Sequence, residues 1–337
     1  MIPEPGRTRL LEIAERLVGG SVHSLEPVVG GRNSRVYRLR SDRGEFALKH
    51  YPDREGDPRD RLGAELRALG LMAARGIDTV PRAVGVDYER GVALLSWLHG
   101  DPPGEVGADD IDQAVEFLAQ IRDLGGEVGA AEAGTASEAC FSGREIRSQI
   151  EQRLDRLCRV SVGEERLQWF LNGPFAARAV RVLARAETLL NDAGMDFDEA
   201  LAPAYRSLVP ADFGFHNCLR RSDGTLVFFD FEYFGWDDPV KLTADVMLHP
   251  GTSVAPALVQ RFRAAAEALY DTDPGFRPRL AAFHPLFGLR WVLILLNEFQ
   301  PECWRRRVAA GAGESWAAAK DRQLARAETL FAVLEEA

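Results

Sequence analysis

Two parts of this chain follow different periodicities, and that contrast limits the fold more than any other feature. Residues 25–30, 35–40 and 45–50 are short apolar or alternating runs, separated by Gly-Gly-Arg-Asn-Ser and by Ser-Asp-Arg-Gly. Such breakers are turn chemistry, so the spacing predicts three antiparallel strands. Helical spacing precedes them at 8–18 and follows at 60–75, after a Pro- and Gly-bearing stretch at 52–58. Gly76 stands where that second helix would end. Strand candidates return at 83–88 and 92–97, and Gly100-Asp101-Pro102-Pro103 then breaks the chain. Beyond it helical spacing dominates, over 109–123, 142–159, 164–171, 174–192, 255–270, 278–299 and 314–335, with a weakly patterned loop at 125–140. One β-rich island, 207–234, interrupts the helices. Strands first and helices after imply an α+β chain of two lobes, an N-terminal lobe over 1–99 and a helical lobe over 100–337.

Composition supports a packed core. Of 337 residues 46% are apolar and 27% charged, the profile of a globular chain long enough to bury a core without staples. The net charge of −10 argues against a nucleic-acid binder, which needs a basic stripe to displace counterions. Cys140, Cys158, Cys218 and Cys303 form no C-x-x-C pair and have no zinc spacing, so reduced thiols are expected. The opening MIPEPGRTRLLEIAERL has no signal-peptide core, and the longest strongly apolar run, Trp291 to Leu296, falls short of the ~20 residues a bilayer needs. The expectation is a cytoplasmic protein, monomer or homodimer, with neither membrane nor nucleic acid as partner.

The island carries the chemistry. It reads Val209-Pro210-Ala211-Asp212-Phe213-Gly214-Phe215-His216-Asn217-Cys218-Leu219, then Ser222-Asp223-Gly224, then Val227-Phe228-Phe229-Asp230-Phe231-Glu232. Asp223-Gly224 between apolar runs is a hairpin signal, and a hairpin here brings the loop 212–217 beside Asp230. Two carboxylates and an amide oxygen then converge. Mg²⁺ is a hard cation that takes one or two carboxylates plus substrate phosphates. A further carboxylate is needed to orient an attacking hydroxyl and accept its proton. On that logic Asp212 is the base, and Asn217 and Asp230 hold Mg²⁺. The plain alternative is that these side chains merely cap and turn the backbone.

Other parts of the chain favour the chemical reading. Gly30, Gly31, Asn33 and Ser34 lie in a turn between strands, where backbone N–H groups can point at phosphates. Phe46-Ala47-Leu48-Lys49 ends the next strand with a small residue two before a lysine, which suits phosphate pairing beside an adenine pocket. Glu65, with Ala64 and Leu66 as neighbours, is a candidate to face inward and pair with Lys49. Exposed Lys49 and solvated Glu65 are the ordinary alternatives.

In order, glycine turn, strand lysine, helix glutamate, linker, Asp, Asn and metal Asp, the chain resembles the aminoglycoside phosphotransferase and choline kinase family, the small-molecule branch of the protein-kinase-like fold. Motifs over 25–100 and 205–250 carry the resemblance, above all Asp230-Phe231-Glu232-Tyr233-Phe234-Gly235-Trp236-Asp237-Asp238-Pro239 followed by Asp245. The D-F-G and A-P-E signatures of protein kinases are absent. The resemblance implies an ATP-dependent kinase, with GTP as the other candidate nucleotide and Mg²⁺ as cofactor. Asp212 would be the catalytic Asp, and Asn217 and Asp230 the metal ligands. Lys49, oriented by Glu65, would hold the α/β phosphates. Leu95-Ser96-Trp97-Leu98 would meet the adenine edge through backbone groups, with Val36, Ala47 and Leu219 around the ring. Asp238 and Asp245 would be structural, and Glu232 would face substrate or the metal's outer ligands. One departure stands out: Pro210-Ala211 replaces the family's His-Gly before Asp212. The glycine turn also falls short of a full G-x-G-x-x-G.

The acceptor implied is the hydroxyl of a small molecule: an amino sugar or aminoglycoside-like antibiotic, a sugar, a nucleoside or an amino alcohol. Candidate lining residues are Glu232, Trp236, Asp237, Trp291, Glu298, Glu302 and Trp304. Helical spacing puts Trp291, Glu298 and Glu302 on one face, although Pro301 interrupts it. Aromatic and acidic side chains suit an ammonium group, and Trp also stacks on sugars. The bland alternative is a core tryptophan and solvated glutamates. A non-catalytic nucleotide-binding module is the competing function.

Overall fold

The computed structural model describes residues 6–28, 34–52, 59–126, 129–251, 254–309 and 313–334. Gly30, Gly31 and Asn33 of the glycine turn lie outside the described residues. Cα packing divides the chain into two compact units, residues 1–137 with 208–236, and residues 138–207 with 237–337. Each unit is thus built from two separate stretches of chain.

The first unit opens with helix α1 (Arg7–Val18), strands β1 (Val22–Val28), β2 (Arg35–Ser41) and β3 (Gly44–His50), helix α2 (Arg61–Ala74), and strands β4 (Ala83–Asp87) and β5 (Val92–Ser96). The five strands form one antiparallel sheet in the order β1-β2-β3-β5-β4. Alternation sorts its two faces. Leu25, Leu39, Leu48, Val92 and Leu94 pack with Leu10, Ile13 and Ala14 of α1 into a core. Val36 pairs with Lys49, Ala47 with Leu95, and Lys49 with Ala93. Residues opposite each other share a face, so Val36, Ala47 and Lys49 lie together on the face away from Leu48.

Helix α3 (Ala108–Leu124) follows, then a short turn of helix at Ala130–Ala133 inside the segment expected as loop. The island supplies β6 (Ser207–Val209), β7 (Cys218–Arg220), β8 (Leu226–Phe228) and β9 (Gly235–Asp237), with β7 paired to β8 and β6 to β9. Phe117 of α3 stacks on Phe228 and Phe213 at 4.6 and 5.7 Å between centroids, with Phe231 at 6.1 Å. That aromatic layer supports the hairpin from below.

The second unit is helical. Helix Phe276–Leu295 runs through its centre and packs on helices Gly143–Val160, Ala176–Asp192, Pro239–Leu248 and Trp316–Val333. Among the described residues, Phe276–Phe299 is the stretch long and apolar enough to cross a membrane, and 67% of its most apolar window is buried inside the protein. Arg279, His284, Pro285 and Arg290 divide its apolar residues, so no long apolar run marks it in the sequence. The buried arginines are paired: Arg279 with Asp238 at 2.9 Å and Asp273 at 2.6 Å, and Arg290 with Asp245 at 2.7 Å. Asp238 also caps helix Pro239–Leu248, accepting from the Val240 N–H.

Other helical segments also differ from expectation. A π turn at Leu171–Phe175 joins Glu165–Phe170 to Ala176–Asp192, where a break was expected, and carries Pro174 without ending the helix. Helix Pro239–Leu248 was not expected at all. Its residues from Pro239 to Asp245 are all buried, so no apolar stripe marks it.

Gly91 has left-handed φ +61, and a Cβ there would lie 2.6 Å from the Tyr51 carbonyl oxygen. Gly19 has φ +65 with open space around it. Gly19→Ala is therefore expected to cost about 1–2 kcal/mol of left-handed strain. Gly91→Ala should cost more, because a backbone atom must also move. Denaturant unfolding of both variants checks the difference.

Candidate active site

Strand β3 delivers Lys49 to the edge of the first unit's interior. Its Nζ lies 2.5 Å from Glu65 Oε2 of α2 and 2.7 Å from Asp230 Oδ1, with Glu232 Oε2 at 3.9 Å. Asp60 starts α2 by accepting from the Gly63 N–H at 2.8 Å, which sets the turn that carries Glu65. Oxygens of Glu65, Asp230 and Glu232 all lie within 4.8 Å of one another. Burial by itself would discharge Lys49, but Asp230, Glu65, Tyr51 and Glu232 outweigh it and hold the ammonium well above its ordinary pKa. Tyr51 donates its hydroxyl to Glu65 Oε2, and its ring centroid is 5.1 Å from the Lys49 Nζ. Sequence reasoning missed Tyr51, although alternation places it two residues beyond Lys49 on the same side of the chain.

The loop after β6 is tightly wound. The Asp212 N–H donates to the Pro210 carbonyl at 3.0 Å, closing a three-residue turn on Ala211 at φ +66. Asn217 Nδ2 donates to the Asp212 carbonyl at 2.9 Å, and His216 Nε2 lies 3.2 Å from Asp212 Oδ1. The β7–β8 hairpin pairs Cys218 with Phe228 and turns at Gly224 with φ +90. One step further the Phe229 N–H donates to the Asn217 carbonyl at 3.0 Å, so Asn217 and the Asp230 segment are neighbours. Asp230 itself has φ +71.

The donor set suits Mg²⁺. With its Nδ2 committed to Asp212, Asn217 has an amide oxygen to offer, and Asp230 adds a carboxylate that is 32% exposed. The linker divides. The Ser96 N–H donates to the Arg82 carbonyl at 2.8 Å and its hydroxyl accepts from the Arg82 N–H, so Ser96 is occupied within the sheet. Trp97 lies under the Arg38 guanidinium at 4.8 Å, and Leu98 is half-buried just beyond the strand. Leu219 lies on β7 opposite Val227, and Ser34 is buried at the start of β2.

The acceptor candidates fall in both units. In the first unit Glu232 is 1% exposed, and Trp236 is half-buried with its ring against Gly125, where a Cβ would meet it at 2.9 Å. In the second unit Asp237 is wholly buried. Its Oδ1 accepts from the Cys140 and Asp238 N–H groups at 2.8 Å, and Lys241 stands 3.0 Å from Oδ2. Burial pushes Asp237 up to about 6, against the pull of Lys241. Asp237 is thus a structural ion pair. Trp291 donates its indole N–H to Asp245 at 2.7 Å. Glu298 is buried 3.4 Å from Arg307 Nε, and Trp304 stacks on Trp316. Trp291, Glu298 and Glu302 do not share a helix face. The long helix ends at Leu295, a 3-10 turn carries Glu298, and Pro301 starts a new helix, Pro301–Ala309.

Burial raises the Glu232 carboxyl to about 7, helped by Asp230 and Glu65 and opposed by Lys49. An acid whose folded pKa lies above its unfolded value stabilises the fold below the unfolded pKa. That stability is lost as pH rises through about 7. Glu232→Gln is therefore expected to raise the melting temperature at pH 8.5 and to leave it nearly unchanged at pH 4.5. Equal shifts at both pH values would refute the assignment.

The sequence matches the model of the phosphotransferase enzyme family over residues 24–283. Comparison with curated proteins returned no match. Among solved structures, the chain is similar to a spectinomycin phosphotransferase in complex with ADP and spectinomycin, at 12% identity, TM-score 0.59, over 94% of this chain and 98% of that one. It is similar to a choline kinase from Streptococcus pneumoniae at 16% identity and TM-score 0.57, covering 96% and 98% of the two chains. A macrolide 2'-phosphotransferase from Brachybacterium faecium aligns at 18% identity and TM-score 0.55, over 91% and 98%. These likenesses show an α+β, kinase-like fold, and the match across most of the sequence makes the chain a member of the phosphotransferase enzyme family.

Proposed function

We propose that this phosphotransferase moves the γ-phosphoryl group of ATP to a hydroxyl of a small molecule. The observation that carries the reading is the Lys49 ammonium, bound at once to Glu65, 16 residues away, and to Asp230, 181 residues away. A charge held so firmly between the face of a sheet and a second acidic segment is pre-organised to receive polyphosphate. Val36 and Ala47 share the Lys49 face, which suits an adenine ring there, with Leu219 opposite and the backbone of Trp97–Leu98 at its edge. Gly30, Gly31, Asn33 and Ser34 are the residues proposed to meet the phosphates.

Asn217 and Asp230 would hold Mg²⁺. Bound there, the ion supplies hard positive charge against phosphate oxygens. Asp212 would orient the acceptor hydroxyl and take its proton as the oxygen attacks the γ-phosphorus. The bond between that phosphorus and the β–γ bridging oxygen breaks in line, and ADP leaves. Lys49 balances charge on the phosphates throughout. GTP is the other candidate nucleotide, and its purine edge would meet the same Trp97–Leu98 backbone.

Trp236, half-buried, would belong to the acceptor side, while Glu232, 1% exposed, would act through the Lys49 cluster. The fold relatives named above act, by their names, on antibiotics and on choline, and a chain of net charge −10 suits an amine-bearing acceptor. In sequence terms residues 1–99 would form the nucleotide lobe and 100–337 the acceptor lobe. ATP and Mg²⁺ as reactants fit a cytoplasmic enzyme.

The test is Mg²⁺-dependent ATP consumption over aminoglycosides, other amino sugars, neutral sugars, nucleosides and amino alcohols. Asp212→Asn is expected to lower kcat by ~10²-fold or more while nucleotide Kd stays within about twofold. Nucleotide binding with no acceptor-dependent turnover would instead indicate a non-catalytic binder.

A further inference from the structure

The loop that bears Asp212 contains a second device, which depends on the phosphotransfer reading above. His216 Nε2 lies 3.2 Å from Asp212 Oδ1, and its side chain is 19% exposed against 37% for Asp212. The imidazole reaches back four residues across the 3-10 turn Phe215–Asn217, closed by Asn217 N–H donating to the Gly214 carbonyl at 3.0 Å. That path runs directly over Gly214. A Cβ on residue 214 would lie 2.9 Å from His216 Nδ1 and 3.0 Å from Cε1. The backbone of Gly214, φ 161 and ψ 179, is extended and open to any residue. The imidazole, not the backbone, is therefore what requires glycine there.

We propose that His216, seated on Gly214, is a positioning residue for Asp212. Asn217 fixes the Asp212 main chain through its carbonyl at 2.9 Å, and His216 fixes the side chain through Oδ1. Two consecutive residues thus hold both ends of one aspartate. A carboxylate held in one rotation presents the same oxygen to every acceptor hydroxyl, and misplacement by ~1 Å is worth about 10²-fold in rate. In the sequence, Pro210 and Ala211 precede Asp212 and carry no polar side chain that could do this. The restraint comes from the downstream side. It requires the proton on Nε2.

The test combines a double-mutant cycle with a spectroscopic readout. His216→Ala and Gly214→Ala are each expected to lower kcat about 10- to 100-fold, with nucleotide Kd unchanged. Because both remove the same contact, the double variant should be no slower than the slower single. His216→Gln, which keeps an N–H donor, should recover part of the loss. Additive losses in the double variant, or full kcat in His216→Ala, overturn the proposal. Nitrogen-15 NMR of the full-length protein should show the Nε2–H tautomer at His216, with a shifted signal in Asp212→Asn. A wild-type Nδ1–H tautomer refutes the contact whether or not any acceptor is turned over. Absence of turnover in the wild type alongside the Nε2–H tautomer would count against the kinase reading and leave the contact standing.

Discussion

One buried ammonium organises the first unit. Lys49 has been taken out of water, a change that costs several kcal/mol for any ion. Three carboxylates offset that cost, and they arrive from β3's neighbour α2 and from the distant segment after β8. Because those acids repel one another, none of them is comfortable without the lysine. The arrangement is mutual: the ammonium needs the acids, and the acids need it. Tyr51 joins by donating to Glu65, and burial together with the Glu65 charge pushes its hydroxyl pKa well up, so the donor proton stays in place. Helix α2, the sheet and the hairpin segment are therefore tied at one point, and the backbone around that point inherits its position.

The strain in the site lies beside this knot. Ala211 and Asp230 both adopt left-handed φ, +66 and +71, which costs a residue with a Cβ of the order of 1 kcal/mol each. Each flanks or is a proposed reacting group. Glycine stands before the aspartate in the family pattern, and the turn seen here explains why glycine would fit: it takes positive φ without penalty. Alanine accepts the same turn under strain. Pro210 and Ala211, standing where the family pattern has His-Gly, place no polar side chain upstream of Asp212.

Much of this was legible in the sequence because local chemistry and burial agreed. The strands announced themselves by alternation and by glycine-bearing turns, and the Asp223-Gly224 hairpin formed where its turn residues said it would. Lys49 and Glu65 could be paired because apolar neighbours marked both as inward-facing. Legibility failed where burial was uniform. From Pro239 to Asp245 helix Pro239–Leu248 has no exposed face, so its period was invisible. Asp237 reads as an acid near the motif, yet its partners Lys241, Cys140 and Asp238 turn it into structure. Tyr51 and His216 have roles set by side-chain reach, to Glu65 and to Asp212, and a Cβ on Gly214 would stand in the way of the second.

The order in which the two units are threaded has a consequence for synthesis. At ~5–20 residues per second, the 181 residues that separate Lys49 from Asp230 take roughly 10 to 40 s to emerge. Through that interval the nascent sheet has α2 and Glu65 within reach, while the rest of the lysine's charge partners, and the hairpin that packs on Phe117, have yet to be synthesised. Residues 138–207 come out in between, before the second stretch of their own unit. Neither unit can close until its later stretch arrives, so the half-made chain must spend that time with an incomplete ion cluster and an uncovered aromatic face. A chain ordered this way has reason to stay acidic and well solvated on the outside.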